Sequence, residues 1–185
     1  MKKLISLLVL AVILALSTTS YSQVQIFGKL SDDKVTPDIN IFGVKKISEK
    51  VSFTYFGLIE EKWSEGLIGV SYSPSEFVTL GVGAGIESNP ALYRLCASVW
   101  VGKGNTSLLI LGEKGDGRTN YWYKATADYK ISENFSAGLI AWRFTGIGPV
   151  ANLTIKKLDS KLWLFPAYDF ESKKPSLTLG LDIKI

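Results

Sequence analysis

The sequence predicts an all-β protein, an antiparallel up-and-down transmembrane β-barrel of about twelve strands that follows a cleaved signal peptide. Apolar and polar residues alternate with period two in a dozen segments, and short turn-like stretches separate those segments. No apolar run after residue 22 approaches the ~20 residues of a spanning helix. Because successive strand side chains point to opposite faces, each segment has one apolar and one polar face.

The first 22 residues have the three-part organisation of a secretory signal peptide. Lys2 and Lys3 provide a positive start, residues 4–16 are uncharged, and residues 17–23 are polar and mostly small. Small residues, Ser20 and Ser22, stand at the positions that the peptidase reads. We therefore expect cleavage after Ser22 and one mature domain over 23–185. The uncharged core is short for the alternative, an uncleaved anchor helix.

Composition argues against several classes of function. The chain has no histidine, which removes Ser-His-Asp catalysis and imidazole metal sites, and its lone cysteine, Cys96, cannot form an internal disulfide. The formal net charge of +4 is modest, and no basic face is clustered for nucleic acid. The carboxylate pairs Asp32/Asp33 and Glu60/Glu61 are interpreted as solvated loop charges. We expect no enzyme activity, no cofactor, no metal site and no nucleic acid partner.

The alternation predicts the strands directly. In chain order they are 24–30, 39–47, 51–59, 67–73, 78–86, 93–101, 106–112, 121–129, 135–144, 151–155, 161–170 and 177–185. The clearest is the last, in which Leu177, Leu179 and Leu181 share one face while Thr178 and Gly180 share the other. Pro166 falls within the eleventh segment, although proline lacks the donor that a sheet ladder needs.

Two sets of breaks alternate along the chain, as expected for a meander of adjacent strands. One set is 46–50, 73–76, 102–105, 132–134 and 157–161; the other, somewhat longer, is 31–38, 60–65, 87–91, 113–119, 145–149 and 171–175. In bacterial barrels with an even strand count both termini lie on the periplasmic side. The first set is therefore predicted to form periplasmic turns and the second to form outer loops.

Two features separate a membrane barrel from a soluble β-domain, which also alternates. The polar faces consist mostly of Gly, Ser, Thr and Ala with isolated charges, which suits a narrow lumen better than an open surface. Aromatic residues gather at both predicted strand ends, such as Tyr72 and Tyr129 at one end and Trp63 and Tyr121 at the other. Such girdles are typical of outer-membrane barrels.

On these features residues 24–185 resemble small bacterial outer-membrane β-barrel proteins, porin-like or structural, without a specific family. The resemblance is one of pattern, and the final strand, 177–185, is similar to the C-terminal assembly signal of such proteins. It departs from the usual form because it ends in Ile185 rather than an aromatic residue. The resemblance implies the outer membrane of a Gram-negative bacterium, outer-membrane lipid around the barrel, and the barrel-assembly machinery as a partner.

The parity of the strands identifies candidates for the lumen. The lumen-facing candidates are Arg94, Trp100, Trp122, Lys124, Asp128 and Asp182. Trp142 and Trp163 have inward parity as well. Inward aromatic residues beside isolated charges are able to stack sugars, or else to fill the lumen. Because Arg94, Lys124 and Lys184 outnumber the two acidic residues on the polar faces, a mildly basic lumen is expected.

The function expected from this pattern is a passive channel for small polar or anionic solutes. Two alternatives remain open at this stage: a closed structural or adhesion barrel that displays short surface loops, and a soluble secreted β-barrel binding module. The solute ligand itself is not identified by any motif in the sequence.

Overall fold

A computed structural model describes residues 21–88 and 93–185 and forms one closed antiparallel barrel. The strands are β1 (Tyr21–Ser31), β2 (Lys34–Lys46), β3 (Val51–Glu60), β4 (Ser64–Ser75), β5 (Val78–Glu87), β6 (Arg94–Lys103), β7 (Thr106–Gly115), β8 (Tyr121–Lys130), β9 (Phe135–Trp142), β10 (Gly146–Ile155), β11 (Ser160–Asp169) and β12 (Lys174–Lys184). The predicted signal peptide lies outside the described residues except for its last two, Tyr21 and Ser22, which begin β1. Cleavage after Ser22 stays a prediction.

The twelve-stranded meander is confirmed, and β12 returns to pair with β1 and close the ring. This closing ladder runs from Gln23 opposite Lys184 to Leu30 opposite Leu177. We call the end where β1 begins and β12 ends the terminal end, and the other the distal end. One short 3-10 turn, Lys156–Leu158, links β10 to β11. Among the described residues, no helix has the length and apolarity that crossing a membrane requires.

Among the strands that begin earlier than the alternation predicts are β2 and β10, in which prolines occupy strand positions that were assigned to loops. Pro37 lies inside β2 and Pro149 inside β10, so the predicted loops 31–38 and 145–149 are wrong in length. Pro166 lies inside β11, as expected. The ladder between β10 and β11 is interrupted between the pairs Ile147/Tyr168 and Ala151/Leu164, where Pro149 and Pro166 both fall. Proline has no backbone N–H to donate to a ladder. Because Pro149 and Pro166 fall in the same interruption, the missing hydrogen bonds affect one ladder instead of two.

The link between β1 and β2 shows why the loop there can be so short. Only Asp32 and Asp33 separate the two strands, and both have positive φ, 52° and 60°. Two consecutive left-handed residues make the hairpin turn that matches strand twist, and aspartate is among the residues that tolerate this conformation. A predicted eight-residue loop is therefore a two-residue turn.

Alternation divides each strand between an apolar exterior and an interior. Exterior side chains such as Ile68, Val82, Leu139 and Leu179 are exposed. On the interior of β12, by contrast, Thr178 is fully buried. It is paired across the β11–β12 ladder with Phe165, which is also fully buried. The exterior is thus the face that presents hydrocarbon to the surroundings, as the parity predicts.

The two faces of β7 provide a matched test of this division. Ile110 points outward and is 48% exposed, whereas its neighbour Leu109 points into the interior cavity. Arginine at a lipid-facing midplane position costs about 2–4 kcal/mol. We expect Ile110→Arg to reduce the folded fraction sharply when the protein is refolded into phosphatidylcholine vesicles, and Leu109→Arg to fold nearly as well as the wild type. Gel mobility before and after heating measures the folded fraction; equal losses in the two variants would contradict the assignment of faces.

Candidate functional site: the barrel lumen

The interior of the barrel contains a cavity of about 830 Å³ to which all twelve strands contribute lining residues. The lining extends from Gln23 and Ser107 near the terminal end to Trp63 and Thr119 at the distal end. The structure places all six lumen-facing candidates in this lining, namely Arg94, Trp100, Trp122, Lys124, Asp128 and Asp182. It does not bring the six together, because they are distributed over two opposite walls.

One wall is aromatic and is built by β8 to β11 with β1. This aromatic wall consists of Phe27, Trp122, Ile140, Trp142, Val150, Trp163 and Phe165. Trp142 stacks on Phe165 with 13° between the ring planes, and its ring centroid is 5.4 Å from that of Phe27. Rings in this edge and offset geometry attract one another beyond their burial. The wall therefore fills one side of the barrel and leaves the cavity beside it.

Glycine on the neighbouring strand makes room for one of these rings. A Cβ atom at Gly180 would come within 2.2 Å of the Trp163 ring, so the tryptophan lies flat over the backbone of β12. Asp182 then accepts hydrogen bonds from Trp163 Nε1 at 2.8 Å and from Gln25 Nε2 at 2.7 Å, and it forms an ion pair with Lys161 at 3.0 Å. Asp182 thus fixes the terminal end of the aromatic wall and has its charge compensated.

Lys124 crosses the aromatic wall without a charged partner in contact. Its Nζ lies 4.0 Å from the centroid of the Trp142 ring and 5.9 Å from that of Trp163. A cation over an indole face is attracted by the ring quadrupole. Within the described residues Lys124 has no hydrogen bond and no ion pair, so its positive charge is presented to the cavity. Asp128 differs, since it accepts hydrogen bonds from Ser136 at 3.1 Å and Asn152 at 3.0 Å.

The opposite wall carries a buried charge cluster at the distal ends of β4 to β7. This Arg94 cluster comprises Arg94, Glu65, Glu87, Glu113 and Asn120. Arg94, which is 2% exposed, donates from Nε to Glu113 at 2.8 Å and from Nη1 to Glu87 at 2.8 Å. Asn120 bridges the two by accepting from Arg94 at 2.9 Å and donating to Glu87 at 2.6 Å. The Trp63 ring covers the guanidinium at 4.9 Å.

Glu65 is the least compensated member of the Arg94 cluster. Its Oε2 atom lies 3.0 Å from Arg94 Nε but has no hydrogen-bond partner among the described residues. The reason is that Nε carries a single hydrogen, which points to Glu113. One guanidinium therefore faces three carboxyl groups, and only Glu113 and Glu87 accept hydrogen bonds from it among the described residues. Among the described residues, no group of three or more Cys, Asp or Glu side chains is placed to hold a metal ion.

Two sequence interpretations fail at this cluster. Glu65, Glu87 and Glu113 were assigned to loops and Trp63 to an outer aromatic girdle, but all four point inward. The glutamates could have been identified from their position in the alternation. Glu87, for example, is at an even spacing from the inward glycines of β5, and it ends that strand rather than beginning a loop. Likewise Glu60, interpreted as a solvated loop charge, lines the cavity, whereas Glu61 is exposed and pairs with Lys34.

The distal rim is held by further ion pairs and by Arg143. The Arg143 guanidinium forms an ion pair with Glu171 at 3.0 Å and donates to the carbonyl oxygens of Thr119 at 3.0 Å and Tyr121, so the link after β9 is tied to the links before β8 and after β11.

A second ion pair of the distal rim joins Lys34 and Glu61, both of which are exposed. The hydrogen bond from Lys34, together with its charge, lowers the pKa of Glu61 below its ordinary value. Exposed pairs of this kind contribute little stability, about 0–1 kcal/mol.

The charges of the lining are separated between the two walls. Among the described residues the lining contains seven acidic and five basic side chains, so the expectation of a mildly basic lumen is wrong. The acidic ones are Asp38, Glu60, Glu65, Glu87, Glu113, Asp128 and Asp182, and the basic ones are Lys29, Arg94, Lys124, Arg143 and Lys161. Five of the seven acids lie on β2 to β7, whereas three of the five bases lie on β8, β11 and β1 and a fourth, Arg143, directly follows β9. The lumen is therefore polarised across its width.

Comparison with known proteins identifies the same fold. No family model matches the chain, and no curated protein matches its sequence. The KdgM porin superposes with a TM-score of 0.60 at 12% identity over 87% of this chain and 98% of that one. The KdgM porin in complex with disordered oligogalacturonate gives 0.61 at 12% identity over the same shares. The NanC porin gives 0.58 at 10% identity, over 88% of this chain and 100% of that one. The porin-like fold predicted from the sequence is confirmed.

The Arg94 cluster leads to a stability prediction. Removing one partner of a buried ion pair leaves uncompensated charge and costs about 3–5 kcal/mol. We expect Arg94→Met to lower the free energy of unfolding by about that amount in urea titrations from lipid vesicles. The exposed Arg118→Met is the control and should change it by less than about 0.5 kcal/mol. Adding Glu87→Gln to Arg94→Met should recover part of the loss, since one unpaired carboxylate is removed. Equal effects of Arg94→Met and Arg118→Met would contradict a structural role for the cluster.

Proposed function

We propose that the protein is a passive channel in the outer membrane of a Gram-negative bacterium, and that it passes small polar or anionic solutes. The observation that carries the proposal is the cavity inside a closed barrel, lined from the terminal end to the distal end by side chains of all twelve strands. A barrel whose interior were packed throughout would serve as a structural element instead. Interaction of β12 with the barrel-assembly machinery and the absence of enzyme activity stay predictions.

The exterior supports a membrane location over the alternative of a soluble secreted binding module. Exposed leucine, isoleucine and valine side chains occur on the outward faces of strands all around the ring, for example Ile26, Ile68, Leu95, Leu139 and Leu179. Soluble monomers rarely expose a contiguous apolar patch larger than a few hundred Å². A closed barrel pairs its backbone groups internally, which is the condition for strands to lie in hydrocarbon.

The size of the cavity favours small solutes. A strand of about ten residues, rising ~3.3 Å per residue and tilted by ~40°, spans roughly 25 Å along the barrel axis. A cavity of about 830 Å³ distributed over that length has a mean cross-section of roughly 30 Å². This suits ions, water and small or extended solutes, and the aromatic wall narrows the path from one side.

The walls suggest how a solute with negative groups would travel. The basic residues Lys29, Lys124 and Lys161 lie beside the aromatic wall, so a sugar acid would find ammonium groups and ring faces together. The KdgM porin of the same fold has been seen with an oligogalacturonate. For inorganic ions, the preference for cations or anions depends on all charges of the lining and not on one wall. Acidic side chains outnumber basic ones there, which favours cations weakly.

Planar-bilayer recordings test the channel directly. We expect the purified wild type to give small, ohmic conductance steps with weak cation preference, because acidic residues exceed basic ones in the lining. Lys124→Glu should shift the reversal potential in a KCl gradient further toward cations, whereas Lys157→Glu, in the exposed turn at the terminal end, should not.

The closed-barrel alternative is favoured by the aromatic wall and makes the opposite prediction. In that case the folded wild type is silent, and Trp100→Ala/Trp122→Ala conducts because the filling side chains are gone. Silence of both folded proteins would also contradict the channel and would direct attention to the distal links.

The orientation of the barrel is a separate prediction. Asp116 lies in the distal link between β7 and β8, and Ser75 ends β4 at the terminal end. With native Cys96 replaced by serine, we expect Asp116→Cys to react with an impermeant thiol reagent on intact cells. Ser75→Cys should react only after the outer membrane is opened. Labelling of Ser75→Cys on intact cells, with Asp116→Cys protected, would show that the orientation is inverted.

A further inference from the structure

We propose that the lumen contains a subsite for zwitterionic solutes, in which Asp38 receives the ammonium group and Lys124 the anionic group of the same molecule. The inference rests on the proposed channel function and specifies its substrate class. It would make solutes that carry both charges, such as amino acids, better substrates than solutes of one charge.

The two residues face each other across the cavity. Asp38 lies on β2 and Lys124 on β8, six strands apart in a ring of twelve, and both line the cavity. Both side chains point into the same cavity from opposite sides of the ring, and they do not form an ion pair with each other. A direct ion pair would close the gap between the walls; without one, the cavity that both residues line stays open between them for a small molecule.

Neither charge is compensated by a charged partner in contact. Among the described residues neither Asp38 nor Lys124 makes a hydrogen bond or an ion pair; Asp38 Oδ1 is buried without a partner, and Lys124 Nζ lies over indole faces. The other cavity acids near Lys124 are occupied: Asp182 is bound by Lys161, and Asp128 by Ser136. The two facing charges are therefore available to a solute.

The surroundings of each charge match the group that it would bind. Glu60 stands beside Asp38 on the next strand, and both carboxylates line the cavity. These oxygens form an acceptor-rich wall suited to an ammonium group. Lys124 supplies three donors above the Trp142 ring, which suits a carboxylate.

A solute of one charge would be less well matched than a zwitterion. An anion that reaches Lys124 brings its charge near Asp38 and Glu60, and a cation that reaches Asp38 approaches Lys124. A zwitterion gains at both ends and meets no like charge. Binding at a hydrated lumen of this kind is weak, which is compatible with release and passage.

A matched set of four-carbon probes tests the inference in proteoliposomes at low ionic strength, where charges are least screened. The probes are 4-aminobutyrate (zwitterion), 4-hydroxybutyrate (anion) and 4-amino-1-butanol (cation), followed as radiolabelled influx above protein-free vesicles. We expect wild type to admit the zwitterion faster than either analogue by a factor of about two to five, the effect of a partly screened charge contact. Asp38→Asn and Lys124→Gln should each abolish this preference.

The controls remove the same charges outside the lumen. Asp33→Asn and Lys157→Gln alter exposed residues of the links and should keep the preference. Heat-modifiable gel mobility confirms that each variant is folded. Equal influx of the three probes in wild type, or a preference that survives in both lumen variants, would overturn the zwitterion subsite while leaving the channel intact. If no probe enters through folded wild-type protein, the channel proposal fails and the subsite with it.

Discussion

The pairing of β1 with β12 is the interaction on which the rest of the structure depends. Every other ladder joins strands that are adjacent in sequence, whereas this one joins residues 23–30 to residues 177–184 at the two ends of the described chain. Without it, two strand edges would expose unpaired backbone groups next to an apolar exterior, a template for pairing with another chain. The register of this ladder also fixes which face of each strand is inside, because a slip of one residue would exchange the two faces.

Closure brings polar residues from distant strands into one enclosed space, and their distribution gives that space its character. The aromatic wall stabilises β8 to β11 and β1 by ring packing and carries most of the basic residues. The acidic wall on β2 to β7 contains the Arg94 cluster, in which one guanidinium holds three carboxylates. Both walls are internally compensated in part, but the charges of Asp38 and Lys124 remain directed at the cavity. A solute in the lumen therefore experiences an electric field across its path rather than a uniform potential.

Much of this arrangement is predictable from residue order alone, since period-two alternation encodes both the number of strands and the face of each residue. Lys124, Trp122 and Asp182 lie in the cavity lining because their parity alternates with apolar exterior neighbours. Two things escape such reasoning. Charged or proline-containing ends of strands look like loops, which is why Glu65, Glu87, Glu113 and Pro37 were assigned to links. The second is which residues of distant strands lie close together in the barrel. Nothing in the order of residues indicates that Asp38 and Lys124 face each other, or that Arg94 pairs with glutamates of three strands.

Chemical modification of the single native cysteine tests most directly whether the lumen is an open aqueous path. Cys96 is half-buried, lines the cavity, and pairs across the β6–β7 ladder with Glu113, so its thiol lies near the acidic wall. A trimethylammonium-bearing methanethiosulfonate added to wild-type channels in a planar bilayer should reduce the single-channel current stepwise. It should act faster than the sulfonate-bearing reagent of similar size, because nearby carboxylates attract the cation. Cys96→Ser channels should not respond. Conducting wild-type channels whose Cys96 reacts without any change in current, or does not react at all, would contradict a conduction path through this lumen.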